Sequence, residues 1–148
     1  MRTGDLCIRQ VVSATADMPV MELTRLMRNK HVGSVVVVDK GAARKPIGIV
    51  TDRDIVIEVL AEGVDPSKVT VGDIMTGAPV ISHQDEDAMW ALKLMRDKGI
   101  RRLPIVDGTG ALVGILALDD LMQHLGNALA DVAQLIGSER LEENSRRG

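Results

Sequence analysis

The chain has 148 residues, with 18 basic against 21 acidic side chains and a net charge of −3; 45% of it is hydrophobic. That size fits one domain or two small units sharing a core, and the charge gives no pull toward duplex DNA or an anionic membrane. Trp90 is the only aromatic residue, so the stacking rings used by single-strand nucleic-acid binders are missing. The core must come from Val, Ile, Leu, Ala and Met, with the methionines as gap-fillers. Cys7 is the only cysteine, so no internal disulfide forms, and a reducing cytoplasm is the expected setting. The N-terminal residues include no apolar signal region, and no apolar run approaches the ~20 residues of a membrane helix.

Read in order, the chain repeats itself. A shift of 68 lays Thr3-Gly4-Asp5-Leu6-Cys7 on Val71-Gly72-Asp73-Ile74-Met75, and Leu26-Met27-Arg28 on Leu94-Met95-Arg96. After a loop two residues shorter, a shift of 66 lays Gly48-Ile49 on Gly114-Ile115 and Asp54 on Asp120. Type and order match over most of the unit, so we read a tandem duplication. The units are 1–65 and 66–125, divided near Asp65-Pro66-Ser67, with 126–148 as a C-terminal extension.

Each unit opens with a short strand, Val11 to Ala14 and Val80 to Ser82. A helix follows. In the first unit Pro19 stands near its start and Val20, Leu23, Leu26 and Met27 form its stripe. In the second, Ala88, Ala91, Leu92 and Met95 form the stripe, with Asp85, Glu86 and Asp87 expected in the first turn. Gly33 to Val38 reads as a buried strand. Its counterpart, Arg102 to Val106, contains Pro104, which cannot donate to a ladder; this predicts a sheet edge or a strand start. Hairpin loops at 39–45 and 107–110 lead to a further strand and a closing helix, Asp52 to Glu62 in the first unit. After the second, Leu121, Met122, Leu125, Leu129, Val132, Ala133 and Ile136 keep helical spacing to about Gly137, and 139–148 is expected to fray. The excess stripe either covers its own core or packs on a second subunit.

Chemistry gathers where strand meets closing helix, at Gly48-Ile49-Val50-Thr51-Asp52-Arg53-Asp54. Glycine admits a close approach. A helix start suits an anion. Thr51 can donate to a phosphate oxygen, Arg53 can add charge, and ionised Asp54 can accept from ribose hydroxyls. The same Thr-x-x-Asp spacing also describes a helix cap that serves only itself. The second copy keeps Asp120 but has Ala117 in place of Thr51.

These turns, with Val71-Gly72-Asp73-Ile74-Met75, Leu103-Pro104-Ile105-Val106-Asp107 and the duplication, resemble the CBS domain pair over about residues 3 to 125. The resemblance implies an α/β (α+β) fold of tandem βαββα repeats packed about a pseudo-twofold axis, with an extended C-terminal helix. It implies clefts for an adenosine nucleotide (AMP, ADP or ATP, with S-adenosylmethionine or NAD as alternatives) and no required cofactor. One cleft would combine Thr51, Arg53 and Asp54 with Thr70, Met75, Ile100, Arg101 and Arg102. The other, weaker or empty, would combine Asp120 with the Arg2 to Cys7 segment and Val32, Gly33 and Ser34. The resemblance further implies a regulatory module rather than an enzyme, a homodimer through the CBS helices and a downstream protein that reads its state. The rivals are a structural or stress-associated dimer without ligand, a small enzyme and a nucleic-acid binder, the last opposed by the lack of a basic face.

Other chemistry is thinly represented. His31, His83 and His124 show no metal-ligand spacing with one another or with Cys7. The acidic run between His83 and Asp87 could attract a divalent ion through its carboxylates, but it reads first as a helix start. No P-loop, nucleophile–base grouping or paired-carboxylate motif occurs.

Overall fold

The computed structural model describes all 148 residues. The first repeat contains β1 (Ser13–Ala14), α2 (Val20–Lys30), β2 (Ser34–Val38), β3 (Pro46–Thr51) and α3 (Asp52–Ile55), preceded by a short α1 (Thr3–Leu6). The linker carries α4 (Val71–Ile74) and β4 (Thr76–Gly77). The second repeat contains β5 (Ser82–His83), α5 (Ala88–Lys98), β6 (Arg102–Val106), β7 (Leu112–Ala117) and α6 (Leu118–Arg147). Both repeats therefore run β-α-β-β-α, as expected.

In each sheet a parallel pair is followed by an antiparallel one: β1 with β2 then β3, and β5 with β6 then β7. The unbroken apolar run Val35–Val38 follows from burial on both faces of β2. Val35 and Val37 pack on the first repeat's own helices. Val36 and Val38 pack across the junction on Leu112 and Ile115 of β7. Leu103 and Ile105 of β6 face the second repeat's core with Ala91, Met95, Leu116 and Leu121.

Each repeat is completed by the segment that precedes the other. Residues 69–77 pack on the first repeat, where Val71 N donates to Met18 O at 2.8 Å, Gly72 N to Ala16 O at 2.8 Å, and Val20 N to Val69 O at 2.8 Å. Residues 1–8 pack on the second repeat, where Thr3 N donates to Glu86 O at 2.8 Å, Gly4 N to Gln84 O at 2.9 Å, and Ala88 N to Met1 O at 2.8 Å. These bonds correspond one for one under the shift of 68. The last pairing repeats too, Ile49 with Thr76 on β4 and Ile115 with Ile8. The exchange crosses the sequence boundary between 65 and 66.

Four local expectations need correction. Pro104 lies in the central strand of its sheet and is buried. It stands where Val36, in the first repeat, donates a long 3.4 Å bond to Val12 O, so its missing N–H forfeits little. The acidic trio precedes α5 instead of filling its first turn: Asp87 is the N-cap, accepting from Met89 N at 2.8 Å, and Glu86 accepts from His83 N at 3.0 Å. The first closing helix widens into a π-helical segment, Val56–Leu60, and stops there. α6 continues as helix to Arg147, through most of the 139–148 stretch expected to fray, although Leu121 is its only buried residue. No helix is long and apolar enough to cross a membrane.

Candidate ligand-binding clefts

The two strand-to-helix turns open onto two cavities between the repeats. The first, of about 280 Å³, is walled by Thr51 and Asp54 from the first repeat and by Ile100 and Arg102 from the second. Ile49, Thr76, Ala78, Pro79 and Val80 complete it. The second, of about 330 Å³, is walled by Ala117 and Asp120 together with Val32, Gly33 and Ser34. Under the repeat shifts Thr51 answers to Ala117, Asp54 to Asp120, Ile100 to Val32 and Arg102 to Ser34.

At the first turn the cap and the cleft coexist. Thr51 N donates to Asp54 Oδ2 at 2.8 Å, and Asp54 N donates to Thr51 Oγ1 at 3.2 Å. Thr51 thereby uses an acceptor lone pair and keeps its O–H proton. Asp54 uses one carboxylate oxygen and keeps the other. The pair is half-buried, presenting one donor and one anionic acceptor to the cavity. At the second turn Ala117 N donates to Asp120 Oδ2 at 3.3 Å and no hydroxyl is present.

Several residues expected at the first cleft lie elsewhere. Thr70 caps α4: its N and Oγ1 donate to Asp73 Oδ2 at 2.9 and 3.0 Å, and these bonds hold the Asp73 carboxyl below its usual range. Met75 packs over Gly48, where an added Cβ would lie 2.6 Å from Met75 Sδ. Arg53 is exposed in the first turn of α3. Arg101 lies 3.5 Å from Asp119, on the rim of the other cavity. At the second cleft Cys7 repeats the part of Met75, packing over Gly114 in the second core. Burial pushes its thiol pKa up, opposed in part by Arg9. Arg2 pairs with Asp85 at 3.1 Å, away from the cavity wall. The close approach that both glycines permit is thus made by a side chain of the crossing segment.

The walls also contain residues that sequence reasoning missed. Thr76, Ala78, Pro79 and Val80 line the first cleft; Ile8, Gln10, Val11 and Val12 line the second. They stand at equivalent positions just before each repeat's first strand, a signal the repeat alignment carried. His31 and Arg102 join the second wall, so Arg102 lines both cavities. No grouping of His, Cys, Asp and Glu could hold a metal ion.

The CBS domain model matches residues 4–61 and 71–127. An uncharacterized protein of Methanopyrus kandleri is 41% identical over 120 residues, covering 81% of this chain and 60% of that protein. The CBS domain-containing protein YhcV of Bacillus subtilis is 34% identical over 139 residues, covering 87% of this chain and 93% of YhcV. Among solved structures, CBS domain protein PAE2072 from Pyrobaculum aerophilum complexed with AMP is 26% identical with a TM-score of 0.73, covering 82% of this chain and 90% of that one. The CBS domain pair of protein MJ0100, in complex with 5'-methylthioadenosine and S-adenosyl-L-methionine, is 25% identical with a TM-score of 0.74, covering 86% and 98%.

Proposed function

Because the chain belongs to the CBS domain family, as a tandem pair, we propose that it is a non-catalytic regulatory module that binds an adenosine nucleotide between its repeats. The observation that carries this reading is the Thr51–Asp54 pair, which caps its helix while turning a free O–H and a free carboxylate oxygen into a cavity that also holds Arg102. Those groups suit a nucleotide: a carboxylate for ribose hydroxyls, and a hydroxyl and guanidinium for phosphate. Ile49, Val80 and Ile100 offer apolar surface to the base. The AMP-bound and S-adenosylmethionine-bound relatives support the ligand class.

A ligand held by groups from both repeats stabilises one relative arrangement of them, and transmits a signal to the extent that it prefers that arrangement. The reading includes a cytoplasmic homodimer that a downstream protein senses. Support for the dimer comes from α6, where Met122, Leu125, Leu129, Val132 and Ile136 are exposed at alternating steps of three and four residues. That spacing suits the seam of a two-helix contact.

The test is a thermal-shift screen with AMP, ADP, ATP, S-adenosylmethionine and NAD on the unaltered chain and on Asp54→Ala. A ligand at 100 times its dissociation constant stabilises the fold by about 2.7 kcal/mol, and Asp54→Ala is expected to remove most of the shift. A shift that survives Asp54→Ala and disappears in Asp120→Ala moves the ligand to the other cleft. The second reading is a structural dimer without ligand, favoured by the same exposed seam on α6; it predicts no shift with any of these compounds.

A further inference from the structure

Arg102 occupies the first position of β6, at the junction of the repeats, and the residue lines both cavities. It is the only arginine or lysine in the wall of either one. Nearby cations do not substitute for it. Arg101 is paired with Asp119 at 3.5 Å, and Arg53 is outside both walls. Ser34, the counterpart of Arg102 in the first repeat, carries no charge and lines only the second cavity. Each wall also contains acid, Asp54 in the first and Asp119 and Asp120 in the second.

A phosphate entering either cavity therefore meets one permanent cation, and the two cavities claim the same one. A guanidinium makes its paired N–H···O bonds to one phosphate at a time. A second phosphate would then face Asp54 in the first cavity, or Asp120 beside the Arg101-paired Asp119 in the second, with no guanidinium left for it in the wall, in a partly enclosed site where like charges repel more strongly than in water. A nucleoside without phosphate needs no such cation.

We propose that Arg102 couples the two clefts, so that a phosphorylated adenosine ligand in one excludes a phosphorylated ligand from the other, while uncharged adenosine fills them independently. The proposal rests on the nucleotide reading above and deepens it. The nucleotide occupying one cleft sets which class of ligand, charged or uncharged, the other accepts.

Calorimetric titration of the full chain with AMP and with adenosine tests this. The second AMP is expected to bind at least about tenfold more weakly than the first. In Asp54→Ala, which disables the first cleft, the remaining cleft should bind AMP at least about tenfold more tightly than that second step, because Arg102 is free to turn to it. Asp54→Asn, with the same shape, repeats the measurement if the alanine variant folds poorly. Adenosine loses its Asp54 contact at the first cleft in either variant, but at the second cleft it should bind as tightly as in the unaltered chain. Arg102→Gln should weaken AMP at both clefts, abolish the coupling and leave adenosine binding as it was. A second AMP step equal to the affinity of the Asp54 variants overturns the proposal, as does a loss confined to one cleft in Arg102→Gln. Two independent AMP sites refute only the sharing of Arg102. If neither AMP nor adenosine binds the unaltered chain, the nucleotide reading falls as well.

Discussion

At the first turn Thr51 and Asp54 bond each other's backbone at 2.8 and 3.2 Å; at the second, Ala117 leaves Asp120 with a single bond of 3.3 Å. Both turns nevertheless run from strand to helix, with β-region backbone at Thr51 and at Ala117. The second turn shows that the carboxylate and the incoming strand suffice to shape this corner. The Thr51 hydroxyl is therefore an addition to the frame, facing a cavity. The closing helices differ in the opposite sense. The first stops at Leu60, and the second runs 30 residues with one buried side chain. The first repeat's turn carries the extra hydroxyl, and the second repeat carries the long exposed helix.

The largest expected effect lies on that helix. Leu129→Asp removes apolar burial of roughly 1.5–3 kcal/mol from each copy of a paired seam and introduces an unpaired carboxylate. On the proposed dimer, light scattering is expected to show the mass falling to that of the monomer at micromolar concentration. Gln134→Asp, on the opposite side of α6, should leave the mass unchanged. Equal behaviour of the two variants would remove α6 from the dimer.

Next in size are the two glycines. Overpacking at either should cost about 1–3 kcal/mol, and the repeats should differ in how it can be relieved. At Gly114 a new Cβ strikes Cys7 Sγ first, with Ile8 O at 3.1 Å. Cys7→Ala is expected to restore much of the loss in Gly114→Ala. At Gly48 the backbone oxygen of Thr76 stands 2.9 Å away, behind Met75 Sδ, so Met75→Ala should restore less of Gly48→Ala. Urea melts of the four single variants and two double variants give both couplings.

The duplication was legible because two shifts align the whole unit, and with it the strand-turn-helix corner that contains Thr51 and Asp54. The buried run Val35–Val38 was legible because a strand covered on both faces has no polar side to show. The crossing of 1–8 and 69–77 was not legible as packing, since those bonds join residues far apart in sequence and leave no local period. The resemblance places Thr70 and Met75 at the cleft, but the Thr70–Asp73 cap and the space over Gly48 claim them. Pro104 misled because a missing donor matters only where a strong bond would form. Arg102 was placed beside one cleft; only the meeting of the repeats brings it to both.

A smaller effect returns to the missing hydroxyl. Ala117→Thr supplies the second turn with the donor that the first one has. A hydrogen bond of this kind is worth about 0.5–1.5 kcal/mol, so AMP affinity at the second cleft should rise about two- to tenfold in an Asp54→Ala background. Thr51→Ala makes the reverse change. It should also cost about 1 kcal/mol of stability through the lost cap, which Thr51→Ser restores along with the ligand contact.

The smallest difference lies between the two crossing segments. Thr70 donates both its N and its hydroxyl to Asp73, while at the equivalent place Arg2 N donates to Asp5 at 3.3 Å and no hydroxyl is available. The backbone bond first, and the hydroxyl second, hold the Asp73 carboxyl below its ordinary value of 3.8. A depressed folded pKa means that the ionised form favours the folded state. Its contribution is full above the unfolded value and is lost as pH falls through the lower folded one. Asp73→Asn removes the charge at every pH. The melting temperature of this variant should therefore lie below that of the parent near neutrality, and the gap should close as the pH drops below about 3.8. A gap of constant size down to the lowest pH would mean that shape at residue 73, rather than its charge, holds α4 and its buried Val71 and Ile74 against the first repeat.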